Sequence, residues 1–215
     1  MTDSSAPGLD YAGAYGRYWD RVERSRPSSY WEQNLVAVRR DARQLLMSWL
    51  EPLDEHRIVD VGCGVGALSL QLARRGASVV GVDRLPRVAA KPEPRLTFVR
   101  ADLMDPPMEE GAFTVAIVDE ILEDYGPRDR LAIVRATCAW RAKRLFLVNR
   151  LASRWGSWID RSAIPGGTDP VDTVELYRGI HLETPYFLAR REILRRRNCS
   201  VELAEFSMSH QWAEV

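Results

Sequence analysis

Asp60, Gly62, Gly64 and Gly66 fall at alternate positions in the stretch RIVDVGCGVGALSL, and Asp83 follows Asp60 by 23 residues. Glycines spaced this way let the backbone take positive φ and let a ligand lie against bare peptide. The stretch then turns into a helical pattern, whose first free N–H groups and dipole suit a polar ligand. A carboxylate at Asp83, closing the next apolar run, can accept the hydroxyls of a ribose. Asp119 and Glu120 close a further apolar run, and His181 lies beyond it. Carboxylates or an imidazole in such places can orient an acceptor or take its proton. His56 precedes the first apolar run and reads as structural.

Those residues need elements to position them. RIVDV, SVVGV, LTFV, FTVAIV and RLFLV are short apolar, β-branched runs and read as buried strands. Val65 to Arg75 reads as an amphipathic helix stopped by Gly76, and Pro127 to Lys143 as another, with proline suited to its first turn. Alternating strands and helices imply a parallel sheet with right-handed crossovers. Tyr11 to Leu50 also reads as helical. The C-terminal part offers a helix from about Thr184 to Arg197, a strand at SVELAEF and a last short strand near HQWAEV. The arginines of ARREILRRR then fall near a helix C-terminus, where cations are favoured.

The chain has 215 residues, 46% of them hydrophobic, enough for one α/β domain with a full core. Lys plus Arg balances Asp plus Glu at 30 each, which argues against a nucleic-acid binder, because neutralising phosphates needs a basic excess. No apolar stretch reaches membrane-span length, so no membrane partner is expected. The three cysteines form no CxxC pair, so no metal site is expected, and a reduced, cytoplasmic setting is.

The order Asp-x-Gly-x-Gly-x-Gly, helix, strand, terminal acid resembles the nucleoside-binding motif of class I S-adenosylmethionine-dependent methyltransferases. LTFVRAD and FTVAIVDEILEDY resemble later stations of the same family, with Thr114 and Asp124 standing where an Asp and a His are usual. The resemblance runs from about Ile58 to Asn149. It implies a Rossmann-like seven-stranded sheet flanked by helices, with an N-terminal helical lid. It implies S-adenosyl-L-methionine as cofactor, held by Asp60, Gly62, Gly64, Gly66, Asp83, Asp102, Leu103 and Asp119. The whole chain is then a single domain: lid at 1–50, cofactor core at 57–149, substrate-side insertion and last strands at 150–215. DPPM at Asp105 looks like the tetrad of amino-methyltransferases, but it follows the third strand instead of the fourth and ends in Met.

The segment RLPRVAAKPEPR after Asp83 departs from the family, since its three prolines oppose a regular helix. The acceptor is expected to be a small molecule, with O-methylation ahead of N-methylation. Tyr15, Tyr18, Trp19, Trp155 and Tyr186 are the expected substrate contacts, and His181, Asp119 and Glu120 the catalytic candidates. A homodimer or a partner protein is compatible with the sequence. The competing readings are a cyclase or lyase on this fold, or a non-catalytic partner subunit.

Overall fold

The computed structural model describes residues 30–84, 93–105, 107–151, 171–196 and 199–209. In chain order the elements are α1 (Tyr30–Leu50), β1 (Arg57–Val61), α2 (Ala67–Arg74), β2 (Ser78–Asp83), β3 (Leu96–Arg100), β4 (Val115–Asp119), α3 (Pro127–Cys138), β5 (Arg144–Leu151), α4 (Thr173–Glu183), β6 (Tyr186–Arg196) and β7 (Cys199–Met208). The strands make one seven-stranded sheet in the order β3-β2-β1-β4-β5-β7-β6. Pairings from β3 through β5 are parallel, and β7 runs antiparallel to both of its neighbours.

The central strands are buried on both faces, as parallel strands covered by crossovers must be. Ile58, Val79, Val115, Ile117, Phe146 and Val148 face α1 and α2. Val59, Val61, Ala116, Val118, Leu145 and Leu147 face α3 and α4. The expected helices are present but shorter. Val65 and Gly66 belong to the turn, with Gly66 at the N-cap of α2, and α3 ends at Cys138.

The expected helix over Thr184 to Arg197 is instead strand β6. Its neighbour explains why. β7 is the penultimate strand, and its outer row of N–H and C=O groups needs a partner, which β6 supplies from Tyr186↔Met208 to Arg196↔Cys199. Consecutive strand residues face opposite sides, so Arg190 and Arg191 each meet an acid on its own face. Arg190 pairs with Glu205 and Arg191 with Glu202, whose side chain is fully buried. Arg196 pairs with Asp41 of α1. These arginines are therefore tied across an edge strand, not solvated at a helix end. The final strand expected near HQWAEV falls outside the described residues.

The described part of the expected lid is α1, and it is a core helix. Leu35, Val38, Ala42, Leu46 and Leu50 repeat at helical spacing and are all buried against β6 and β7. The Arg190 guanidinium lies over Trp49, 3.9 Å from its centroid. α4 was not legible as a helix. Asp172 caps it by accepting from the N–H groups of Val174 and Glu175.

Candidate active site

The glycine turn joins the carboxyl end of β1 to α2, where ligands of open α/β sheets sit. Gly62, Gly64 and Gly66 all take positive φ, at 73°, 54° and 76°. A Cβ on Gly62 would come 2.7 Å from Cγ1 of Ile121, so the segment after β4 rests on the turn. A Cβ on Gly64 would meet nothing within 4 Å. That open space over bare backbone is a cradle with room for a ligand. The Gly64 N–H donates to Oδ2 of Asp83 at 2.9 Å, which sets the acid beside the cradle. Gly64 and Asp83 thus stand together as the sequence requires.

Asp60 is buried beneath the turn. The Ser69 hydroxyl, in the first turn of α2, donates to its Oδ2 at 2.5 Å. Burial pushes the Asp60 carboxyl up to about 6, against the pull of that hydrogen bond; the charge of Asp119 pushes the same way as burial. Asp60 therefore ties the turn to α2. Cys63, inside the turn, has its thiol pushed up chiefly by burial and is no nucleophile. Asp102 is exposed after β3; its Oδ1 accepts from the Met104 N–H at 3.0 Å, and Arg84 pairs with it at 3.4 Å. Leu103 turns into the core beneath this loop and offers its side chain to no ligand.

The carboxyl end of β4 carries a denser set of charges. Asp119 is clasped by Arg43 of α1, with Nε at 2.9 Å and Nη2 at 2.8 Å. Glu120 pairs with Arg39, one helical turn earlier on α1. Glu120 also holds a φ of 53°, rare for a residue with a side chain and a form of strain concentrated at functional sites. Glu123 lies three residues on and is buried. Its Oε1 accepts from the N–H of Arg150, continuing the β4–β5 ladder past the end of β4. Burial first, and the charge of Glu120 second, push Glu123 up to about 7. Oε1 of Glu120, Oε2 of Glu123 and the side-chain amide of Asn149 are buried without a hydrogen-bond partner among the described residues.

Glu123 was not singled out from sequence. Its carboxylate is one of several in DEILED, and its burial is a tertiary fact. Arg39 and Arg43 were also missed, although their i, i+4 spacing was visible.

Two expected contacts lie at the wrong end of the sheet. His181 is exposed in the last turn of α4, next to Glu183, which pairs with Arg135 of α3. α3 ends there to feed the start of β5, so His181 is far from the strand ends that bear the glycine turn. Tyr186 is buried, and its hydroxyl donates to the carbonyl of Ala142, just before β5 begins. It is a core residue of the amino-terminal edge. Tyr15, Tyr18, Trp19 and Trp155 fall outside the described residues.

Residues 58–141 match the family described as "Methyltransferase domain". The chain is similar to magnesium-protoporphyrin O-methyltransferase of Rhodobacter capsulatus, 30% identical over 55% of this chain and 62% of that protein. It is also similar to the 23S rRNA (uracil(1939)-C(5))-methyltransferase RlmD of Azoarcus sp. (strain BH72), 30% identical over 61% of this chain and 31% of that protein. The chain thus spans about a third to three-fifths of the length of these relatives. Among solved structures, magnesium protoporphyrin IX methyltransferase of Synechocystis PCC 6803 with bound SAH superimposes with a TM-score of 0.75 at 20% identity, covering 93% of this chain and 97% of that one. The Burkholderia thailandensis 1,6-didemethyltoxoflavin-N1-methyltransferase does so with a TM-score of 0.63 at 18% identity, covering 95% and 92%. With its sheet order, its glycine turn and the acid that the turn engages, the chain has the fold of the class I S-adenosylmethionine-dependent methyltransferases, and its residues 58–141 match the methyltransferase domain.

Proposed function

We propose that this chain binds S-adenosylmethionine in the cradle of Gly64 and Asp83 and methylates a hydroxyl group of a small-molecule acceptor. The cofactor, when bound, supplies an electrophilic methyl group on a sulfonium. The chain's own residues do the rest. Gly62, Gly64 and Gly66 keep the cradle open, and Asp83 orients the ribose. Glu120 and Glu123 face the acceptor.

The observation that carries the choice of an acceptor with a proton to lose, over a carboxylate, is the pair of buried carboxylates after β4. Among the described residues each keeps one oxygen without a hydrogen-bond partner, and Ile121 between them rests on the glycine turn. A group with a proton to give is what such oxygens accept. Glu123, at about 7, is poised to take that proton near neutral pH, where a general base contributes about 10²–10⁴-fold. Oε2 of Glu123 would take the proton that the acceptor hydroxyl gives up on methylation. A small molecule is favoured over a polynucleotide by the balance of 30 basic and 30 acidic residues.

The test is incubation with methyl-labelled cofactor and a panel of hydroxyl, amine and carboxylate acceptors, with the methylated atom assigned by NMR. Label on oxygen, lost about 100-fold in Glu123→Gln, supports the reading. Label on nitrogen, or full activity in Glu123→Gln, rejects it.

A further inference from the structure

Gly81 lies inside β2, where glycine weakens a strand and marks a place that something else must approach closely. Its φ is not in the left-handed region, so backbone conformation does not call for glycine there. The reason is steric. A Cβ on Gly81 would stand 2.8 Å from Cδ1 and 2.9 Å from Cε1 of Phe98, and 2.9 Å from Sγ of Cys63. A Cβ on Gly66 would stand 2.5 Å from Cζ and 2.7 Å from Cε1 of the same ring. One edge of the Phe98 ring, with Cε1 common to both contacts, is therefore wedged between β2 and the last glycine of the turn.

We infer that Phe98 is a positioning residue for the nucleoside cradle, and that Gly81 is glycine so that the Phe98 ring can seat. The inference rests on the reading of Gly64 and Asp83 as the nucleoside site. The turn is tied to β2 on its upper side, by the Gly62 and Cys63 N–H groups on the Val82 carbonyl at 2.7 and 3.1 Å and by the Gly64 N–H on Asp83. Nothing in those bonds fixes how far the turn stands from the sheet on the α2 side. The ring does, because it touches both. Phe98 pairs with Gly81 in the β2–β3 register, and Asp83 pairs with Arg100 two residues on, so the wedge lies directly behind the acid. Moving the ring moves Gly66, and with it the N-cap of α2 and the direction of the Gly64 N–H. Phe98 touches the cradle from behind and acts on the ligand through Gly66 and Gly64.

The experiment is calorimetric titration with S-adenosylhomocysteine of the wild type, Gly81→Ala, Phe98→Ala and the double variant. Val115→Ala is the control, a buried residue at the amino-terminal end of β4, opposite the strand ends that carry the turn. Gly81→Ala overpacks the wedge and is expected to weaken binding about tenfold. Phe98→Ala is expected to weaken it about fivefold, and Phe98→Leu replaces it should that variant not fold. Once the ring is gone, a Cβ on Gly81 still meets Sγ of Cys63 but no longer the ring, so the double variant is expected to lose clearly less than the product of the two single losses, a coupling that independent sites do not show. Val115→Ala should lower Tm and leave the affinity unchanged. Wild-type binding with no loss in Gly81→Ala or Phe98→Ala overturns the inference, as does an equal Gly81→Ala effect in both backgrounds. Failure of the wild type to bind overturns the nucleoside site itself, and this inference with it.

Discussion

Arg43 of α1 grips Asp119 of β4 across 76 residues of chain, with Nε and Nη2 both within 3 Å of Oδ2. The grip joins the first described helix to the strand end beside the glycine turn. The Asp119 side chain is 6% exposed, and its charge raises the pKa of Arg43. Arg43→Ala leaves that charge buried and alone. Breaking such pairs costs about 3–5 kcal/mol, and the partial exposure of Arg43 trims this to about 2 kcal/mol. Urea denaturation checks the value. Adding Asp119→Asn should restore most of the loss, since it removes the stranded charge.

Glu123 gives a pH signature. Its folded-state value of about 7 lies above its ordinary 4.5, so the folded state holds the proton more tightly than the unfolded chain. Its contribution to stability is present in full below pH 4.5 and is lost as pH rises through 7. Glu123→Gln keeps an acceptor for the Arg150 N–H and removes the charge. It should therefore raise the free energy of unfolding relative to wild type at pH 8 by an amount on the order of 2–3 kcal/mol, seen as a higher Tm, and make little difference at pH 4.5. A Tm difference independent of pH would mean that Glu123 is ionised throughout.

Asp83→Ala should weaken S-adenosylhomocysteine by at least about tenfold, through loss of charge-assisted hydrogen bonds. Gly64→Ala should also weaken it, because the new methyl occupies the cradle. Its effect on stability should stay near 1 kcal/mol, the cost of positive φ for a residue with a side chain. Calorimetric titration and thermal melts of the two variants separate these effects.

His181→Ala should leave cofactor affinity and methyl transfer within about twofold of wild type, as exposed surface changes away from a site do. Its position at the far end of α4 gives it no reach to the glycine turn. A larger effect in a labelled-methyl assay would place the acceptor elsewhere.

The strand–turn–helix unit was legible because its signals are local. Two short apolar, β-branched runs, three glycines needing positive φ and an acid at the next strand end all lie within 27 residues, Arg57 to Asp83. The β6 segment was misread because local preference opposes its fate. YFLARREILRR contains good helix formers, and only the unpaired outer side of β7 makes it a strand. The Glu123 carboxylate was illegible for a similar reason. Its raised pKa comes from burial and from Glu120, and neither can be seen in DEILED. Gly81 looked like an ordinary strand residue until the ring of a different strand was found lying on it.

The seating of α1 has a consequence for synthesis on the ribosome. The helix is made before any described strand, yet the strands it packs against, β6 and β7, are the last of the described elements to be made. Throughout elongation its stripe of Leu35, Val38, Ala42, Leu46 and Leu50 has no permanent cover, and Arg39 and Arg43 wait for acids that emerge only with β4. The nascent chain therefore carries an exposed apolar helix for most of its translation, the kind of surface that chaperones bind and that promotes aggregation. Truncation before Cys199 would leave that helix without its floor permanently.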